Sequence, residues 1–213
     1  MALLDINGDG AREMAAEAGG GAIGLTCDVT KAADVDHALA ATVKAFGRID
    51  VVINNAGWTH RNKPLLEVTE EEFDRIYAVN VKAPFILVAE LAPAMAARGK
   101  GAVVNVLTMV AHFGIAGMGL YGSSKAALTL LTKAWAAEFG PSGVRVNAVS
   151  PGPTRTEGTE AMGSQLDVLA SMAPAGRPAA PDEIASAIGY LAGDEASFVH
   201  GAVLDVDGGR NAA

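Results

Sequence analysis

The sequence predicts a single α/β domain with a doubly wound parallel sheet that is covered by helices on both faces. Six short apolar segments alternate with helical segments, most of them ten or more residues long, which is the pattern of βαβ units. The segment IDVVIN at residues 49–54 is apolar nearly throughout, as expected of a strand that is buried on both faces. Glycine accounts for 25 of 213 residues and aromatic residues for only 5%, a composition that suits close packing of helices on a sheet.

The elements follow one another without a long linker, an internal repeat or a low-complexity tract, so we expect one domain over residues 1–213. Strands are predicted at residues 2–6, 22–27, 49–54, 102–107, 144–149 and 202–207. Helices are predicted from 11 to 18, from an N-cap at Thr30 to Phe46, over 70–97, 121–139 and 164–172, and from Pro181 onward.

Several local signals support these boundaries. The run from Asn7 to Gly10 predicts a turn, and Gly47 closes the second helix. Thr69 and Glu72 form a capping box for the helix over 70–97, which Pro84 and Pro93 should divide or kink.

Composition excludes several classes of function. A net charge of −8 and a pI of about 4.9 argue against a nucleic-acid partner, which requires a basic face. No apolar run is long and uninterrupted enough to predict a membrane span. The single cysteine, Cys27, rules out an internal disulfide and fits a reducing cytoplasm, where we expect the protein. We predict no catalytic metal, because no His, Cys and carboxylate cluster has metal-ligand spacing.

Tyr121 and Lys125 lie four residues apart, so on a helix they project from one face. A nearby ammonium favours the phenolate and is expected to lower the pKa of Tyr121 below its usual value of about 10. The phenol would then be a usable proton donor. By itself the spacing is common on amphipathic helices, and an ordinary surface pair is the alternative.

Four motifs occur in one order along the chain. Asn54-Asn55-Ala56-Gly57 follows the third strand, Asn80 lies in a long helix, Tyr121-Gly122-Ser123-Ser124-Lys125 opens the next long helix, and Pro151-Gly152 precedes Thr156. Together they resemble the short-chain dehydrogenase/reductase family from Ala2 to the terminal VLDVDGG, essentially the whole chain. The resemblance implies a Rossmann-like fold, a nicotinamide cofactor and a homotetramer or homodimer formed through helices 70–97 and 121–139.

The resemblance implies four catalytic residues. Tyr121 would be the acid/base, and Lys125 would lower its pKa and bind the nicotinamide ribose. Asn80 would hold a water that links Lys125 to solvent, although a helix-kink residue is the alternative. Thr108 stands where the family usually has serine, thirteen positions before the tyrosine, and its hydroxyl would orient a substrate carbonyl.

The resemblance also implies the cofactor contacts, which fall at strand ends where open α/β sheets bind ligands. Asp5 would accept the adenine-ribose hydroxyls and repel a 2′-phosphate, which favours NAD over NADP; a solvated turn acid is the alternative. The other predicted cofactor contacts, besides Tyr121 and Lys125, are Asp28, Val29, Asn54, Ala56, Gly57, Pro151, Gly152, Thr154 and Thr156.

We also predict that mostly apolar residues line a substrate pocket above the nicotinamide. Its residues are Trp58, His112, Phe113, Met118 and Met162. His112 would orient substrate or be a bystander. His60 and Arg61 would meet an anionic tail or, more simply, be solvated.

The chain begins at what matches the family's second strand, without the first strand, its Gly-rich turn and the helix that follows. We therefore expect an N-terminally truncated domain that starts at an internal methionine. The absent strand would be central, so the remaining strands should not form the usual sheet unless the neighbours close up and pair.

Two functions remain open at this point. The first is an NAD(H)-dependent oxidoreductase that moves a hydride between the nicotinamide and a secondary alcohol or ketone. The second is a catalytically silent relative or scaffold subunit that cannot hold the cofactor, because its phosphate-binding turn is missing. If the chain is naturally this short, NADH should show no saturable binding.

Overall fold

A computed structural model describes residues 1–60 and 62–212. Arg61, which we considered as a contact for an anionic tail, lies outside the described residues. The strands are β1 (Ala2–Asp5), β2 (Ile23–Thr26), β3 (Val51–Asn54), β4 (Gly101–Val106), β5 (Val144–Pro151) and β6 (Val203–Val206). The helices are α1 (Gly8–Ala18), α2 (Ala32–Phe46), α3 (Glu70–Tyr77), α4 (Ala83–Ala97), α5 (Gly119–Phe139), α6 (Ser164–Ala170) and α7 (Pro181–Ala192).

The strands form two parallel sheets, which agrees with the expectation that they would not form the usual single sheet unless β1 and β3 closed up and paired. β1 pairs with β2 alone, and the second sheet has the order β3-β4-β5-β6. Within the described residues β1 and β3 do not pair, so each keeps an open edge instead of closing up on the other. The alternating side chains Val51 and Ile53 of β3 are 41% and 45% exposed. The fold is thus α/β and parallel as predicted, with its sheet divided between β1 and β3.

Each sheet has its own hydrophobic core. The larger core packs α4 and α5 on the four-stranded sheet through fully buried side chains such as Met95, Leu128 and Val146. The smaller core gathers Cys27, Val35 and Ala38 between α2 and the two-stranded sheet. Leu87 of α4 is the side chain of the larger body that packs into this smaller core.

The helix predicted over 70–97 runs without a break but is not a uniform α-helix. Thr69 caps it as predicted: its backbone N–H donates to Glu72 Oε2 at 2.9 Å, and Glu72 N–H donates back to Thr69 Oγ1 at 3.2 Å. A π-helical turn at Ala78–Lys82 joins α3 to α4 and contains Asn80. Pro84 has no N–H to offer the carbonyl four residues earlier, that of Asn80, so the α-helical pattern cannot close there. The proline therefore produces a π turn at Asn80 and no break in the helix.

By length and composition alone, the helix over Glu70–Ala97 could span a membrane, a test that core helices of other proteins also pass. In this structure it packs against β4 and α5, and it carries the buried Asn80.

Two predicted helix starts were wrong. α1 begins at Gly8, because Asn7 is its N-cap and accepts a hydrogen bond from Gly10 N–H at 3.2 Å. The predicted turn over 7–10 is therefore the first turn of a helix. Thr30 does not cap α2, because its hydroxyl donates to Asp28 Oδ1 at 2.6 Å, and the helix starts after Lys31.

Candidate active site

Thr108 and Tyr121 are brought together by the loop between β4 and α5. Thr108 follows β4 in extended conformation, a 3-10 turn over Met109–Ala111 comes next, and α5 then starts at Gly119. The loop reaches α5 closely, since a Cβ on Gly122 would lie 2.7 Å from the Val110 carbonyl oxygen. The hydroxyl of Thr108 lies next to that of Tyr121, close enough to lower the pKa of the phenol.

Lys125 lies one turn further along α5 and is almost fully buried, at 3% exposure. Its ammonium donates to the Val106 carbonyl at 2.8 Å, which leaves two of its three N–H donors for other partners. Burial of the charge lowers the pKa of Lys125 to about 8.

The pKa of Tyr121 departs from expectation. We predicted that Lys125 would lower it, but the pKa of Tyr121 is raised, because burial disfavours the phenolate. The neighbouring Thr108 hydroxyl favours the phenolate and lowers the pKa, but this effect is weaker than that of burial. The ammonium of Lys125 faces the Val106 carbonyl and does not contribute to the shift. In this structure Tyr121 is a neutral phenol near pH 7.

Asn80 fixes the loop after β3 to α5. Its Oδ1 accepts from Trp58 N–H at 2.8 Å, and its Nδ2 donates to the Trp58 carbonyl at 2.9 Å and to Ser124 Oγ at 3.0 Å. Ser124 in turn donates to the Tyr121 carbonyl at 2.7 Å. The hydrogen bonds of the Asn80 side chain therefore go to other segments and not to the backbone of its own helix, as those of a simple kink residue would. The sequence analysis assigned no separate role to Ser124.

Gly57 lies over the gap that Lys125 and Asn80 border. A Cβ there would lie 3.4 Å from Lys125 Nζ and 3.7 Å from Asn80 Oδ1. Ala56 and Gly57 are exposed at the end of β3, whereas Asn54 is turned into the sheet and donates to Asn105 Oδ1 at 2.7 Å. Asn54 thus braces two strand ends and presents only its backbone toward this gap.

The loop after β5 is held by its own backbone and hydroxyl groups. Gly152 N–H donates to the Val206 carbonyl at 3.0 Å, and a Cβ on Gly152 would lie only 2.7 Å from Asp207 Cα. Thr154 Oγ1 donates to the Gly152 carbonyl at 3.0 Å. Pro151 ends β5, and the exposed Thr156 opens a 3-10 turn that ends at Met162.

The residues predicted to contact the adenosine half of the cofactor lie on or next to the two-stranded sheet. Asp5 is exposed at the end of β1, and its Oδ1 accepts from Asn7 N–H at 2.8 Å. Asp28 accepts from the hydroxyl of Thr30, and this hydrogen bond is the main reason that its pKa is lowered. Val29 packs against the small core.

The predicted pocket residues do not all meet. His112 and Phe113 line a cleft together with Asp205, Arg210 and Asn211, three residues that sequence reasoning missed. Trp58 instead lies under the guanidinium of Arg75, whose Cζ is 4.4 Å from the centroid of the Trp58 ring. Met118 precedes α5 and Met162 ends the 3-10 turn, both half-buried, and neither borders this cleft. His60 is buried at 4% exposure, so the expectation that it is solvated was wrong.

His112 is already engaged by two neighbours. Its Nε2 lies 3.2 Å from Ser150 Oγ and 3.3 Å from Asp205 Oδ1. Both partners meet the same ring nitrogen, so the three residues do not form a Ser-His-Asp relay, which uses the two nitrogens separately. His112 instead joins the loop after β4 to β5 and β6.

Comparison with known proteins supports the same family. A family model described as enoyl-(acyl carrier protein) reductase matches residues 1–211. The 4-formylbenzenesulfonate dehydrogenase of Comamonas testosteroni is 45% identical over 198 residues, which cover 90% of this chain and 79% of that protein.

Two solved structures share the fold over nearly the whole chain. A 3-ketoacyl-(acyl-carrier-protein) reductase from Brucella melitensis complexed with NADH is 34% identical, with a TM-score of 0.92, covering 98% of this chain and 86% of that one. A gluconate 5-dehydrogenase from Burkholderia cenocepacia in complex with NADP and tartrate is 30% identical, with a TM-score of 0.90, covering 100% of this chain and 85% of that one. These matches do not confirm the expected N-terminal truncation. The chain belongs to the short-chain dehydrogenase/reductase family of oxidoreductases.

Proposed function

We propose that the protein is an NAD(H)-dependent oxidoreductase that interconverts a secondary alcohol and a ketone, with Tyr121 as the acid/base. The observation that supports the proposal is the position of the Tyr121 phenol, next to the Thr108 hydroxyl and one helical turn from the buried ammonium of Lys125. A neutral phenol beside a second hydroxyl can hold a carbonyl oxygen by two hydrogen bonds.

In the reducing direction, Thr108 would orient the carbonyl oxygen and Tyr121 would give it a proton. A bound nicotinamide cofactor would supply the hydride. Because burial raises the pKa of Tyr121, the phenol is a reluctant acid in this structure, and a cation beside it would ease loss of the proton. Lys125 is the nearest candidate, with two donors left after its bond to Val106.

The residues present fit the nicotinamide half of the cofactor. The space over Gly57, which a Cβ would narrow, is bordered by Lys125 and Asn80. Lys125 donors directed there would suit ribose hydroxyls. Pro151, Gly152 and Thr154 would hold the carboxamide from the end of β5, where Gly152 allows the close approach to Asp207.

Preference for NAD rests on Asp5. Its exposed carboxylate at the end of β1 would repel a 2′-phosphate and accept ribose hydroxyls. Similar structures hold NADH in one case and NADP in another, so the preference depends on this chain's own residue. The Asp5→Asn variant should lose discrimination against NADPH, measured as the ratio of kcat/KM with the two reduced cofactors.

The decisive experiment measures NADH oxidation with a panel of ketones, and NAD reduction with the matching secondary alcohols. Tyr121→Phe should lower kcat by at least about 10²-fold, as loss of a general acid does, while NADH binding is retained. Tyr190→Phe is the matched control, because Tyr190 is half-exposed on α7.

If the folded protein turns over none of the ketones or alcohols and also shows no saturable NADH binding, the scaffold alternative would be favoured. The family match and the dehydrogenase relative favour the enzyme.

We also propose a cytoplasmic homo-oligomer formed through α4 and α5. Both helices expose large apolar side chains, with Phe85 at 48%, Ile86 at 44% and Leu130 at 68%. Burying such a patch against a second copy would remove apolar area from water. Light scattering after gel filtration should give a dimer or tetramer mass, and Leu130→Glu should reduce it; a monomeric wild type would contradict the proposal.

A further inference from the structure

The cleft in the loop after Thr108 contains a cation, Arg210, that forms no ion pair with the residues that the structure describes. The cleft measures about 550 Å³ and is lined by His112, Phe113, Asp205, Arg210 and Asn211. It starts four residues after Thr108 along the same loop, and it faces the carboxyl ends of β5 and β6 through Ser150 and Asp205. The cleft therefore lies at the same edge of the sheet as the end of β4, which Thr108 follows, and a substrate held by Tyr121 would extend along this edge to reach it.

Arg210 is positioned by stacking and not by an acid. Its guanidinium carbon lies 4.9 Å from the centroid of the Phe113 ring. Its Nε is buried without a hydrogen-bond partner, and none of the ion pairs among the described residues includes Arg210. Stacking on an aromatic face fixes the plane of a guanidinium without using its N–H donors.

Asn211 adds a second unused polar group. Both its Oδ1 and its Nδ2 are buried, and neither has a hydrogen-bond partner within the part of the chain that the structure describes. A buried polar atom without a partner costs about 1–3 kcal/mol, so two adjacent residues with such atoms indicate a place where a ligand completes the hydrogen bonds.

Asp205 is the acid that could have neutralised this site, but it faces His112. The Asp205 carboxylate lies 3.3 Å from His112 Nε2, which also contacts Ser150 Oγ. His112 therefore contacts Asp205, the carboxylate among the described residues that line the cleft, and no ion pair of those residues joins Asp205 to Arg210.

We propose that Arg210 and Asn211 bind an oxyanion, a carboxylate or sulfonate, at the far end of the substrate. The guanidinium would take two oxygens in the bidentate geometry that such groups share, and the Asn211 amide would donate to one of them. The face of Phe113 would cover the apolar body between the oxyanion and the reacting carbon. This assignment deepens the proposed function, on which it rests, by naming the substrate class.

The test uses a matched pair of ketones, 4-acetylbenzoate and its methyl ester, which differ only in the charge at the far end. Wild type should prefer the carboxylate. Arg210→Gln should lower kcat/KM for the carboxylate by about 10- to 100-fold, the loss expected for hydrogen bonds to a charged group, and mainly through KM. The kcat/KM for the ester should fall much less than that for the carboxylate.

Two further variants keep the result interpretable. Arg48→Gln removes an equal charge at an exposed site paired with Asp50, and it should leave the preference intact. Arg210→Lys keeps the charge without the planar fork and should fall between wild type and Arg210→Gln. If circular dichroism shows that Arg210→Gln does not fold, the preference of Arg210→Lys for the carboxylate over the ester is compared with that of wild type instead.

Binding of 4-acetylbenzoate is also measured by calorimetry, independently of turnover. Equal preference for acid and ester in wild type, or equal loss of both in Arg210→Gln, would overturn the oxyanion site. Arg210-dependent binding of the acid without turnover of either ketone would support the site and contradict the proposed function.

Discussion

Lys125 carries a buried charge that the fold tolerates at a cost. Its ammonium is 3% exposed and has one hydrogen bond, to the Val106 carbonyl. The pKa of Lys125 falls from 10.5 to about 8, so the unfolded chain binds this proton more tightly than the folded one. Stability should therefore rise with pH between about 8 and 10.5, as the folded protein releases the proton and the unfolded chain keeps it.

Lys125→Met tests this. The variant should be more stable than wild type at pH 7 by about 1–2 kcal/mol, because removing the charge outweighs the lost bond to Val106. The difference in unfolding free energy between the variant and wild type should become smaller above pH 8. Urea unfolding at a series of pH values measures it, and turnover should fall in the same variant. A variant less stable than wild type at pH 7 would contradict the assignment of a costly buried charge.

The hydroxyl of Thr108 lies next to the phenol of Tyr121. Thr108→Ala removes that hydroxyl and should lower kcat by about 10²-fold, the usual effect of deleting one donor from such a site. Thr108→Ser keeps the hydroxyl and should retain most of the activity, because only a methyl group is lost. The kcat values of the two variants, with the same ketone and NADH, check the expectation. Equal activity of Ala and Ser would show that the hydroxyl is not used.

At the scale of elements, the π turn at Ala78–Lys82 is the joint between a loop and two helices. Asn80 satisfies both backbone polar groups of Trp58 and also reaches Ser124. Asn80→Ala leaves these groups without partners in a buried place and should cost about 2–4 kcal/mol of unfolding free energy.

Asn80→Asp separates the contacts that Asn80 makes. The carboxylate can still accept from Trp58 N–H, but it cannot donate to the Trp58 carbonyl or to Ser124 Oγ. Its unfolding free energy, measured in urea at neutral pH, should also fall below that of wild type. If both variants match wild type, Asn80 does not join the loop to α5.

The sequence predicted most elements because their signals are local. The capping box of Thr69 and Glu72 depends only on residues three positions apart at the start of a helix. Gly47 ends α2 with a φ of 82°, a conformation that glycine adopts easily and other residues rarely do. Thr30 failed because its hydroxyl had a nearer acceptor in Asp28. Sequence gave no sign of Arg210, since its partner Phe113 is 97 residues away and only the fold brings the two together.

The arrangement of two proposed catalytic residues was predictable for a related reason. Tyr121 and Lys125 share one helix, so their spacing alone sets their geometry. The pKa of Tyr121 was not predictable, because it depends on burial and on where Lys125 points, both of which are tertiary.

For the whole molecule, the division of the sheet predicts two units of unequal stability. The two-stranded sheet with α1 and α2 has a small core, and its link to the larger core includes Leu87. Few buried apolar contacts mean a low free energy of local opening. Amides of Leu4 and Leu25 should therefore exchange with solvent deuterium at a lower opening free energy than those of Val146 and Val149, which lie in the central β5.

Adjacent residues of α4 provide the matched test. Leu87 packs on the small core, whereas Val88 is 1% exposed in the large one. Leu87→Ala should lower the opening free energy of β1 and β2 and leave β5 unchanged. Val88→Ala should lower that of β5, by about 1–3 kcal/mol for a buried aliphatic side chain. Native-state hydrogen exchange measures the opening free energies of β1, β2 and β5 in both variants. If the two substitutions lowered all strands equally, the sheets would unfold as one cooperative unit, and the open edges of β1 and β3 would have no energetic consequence.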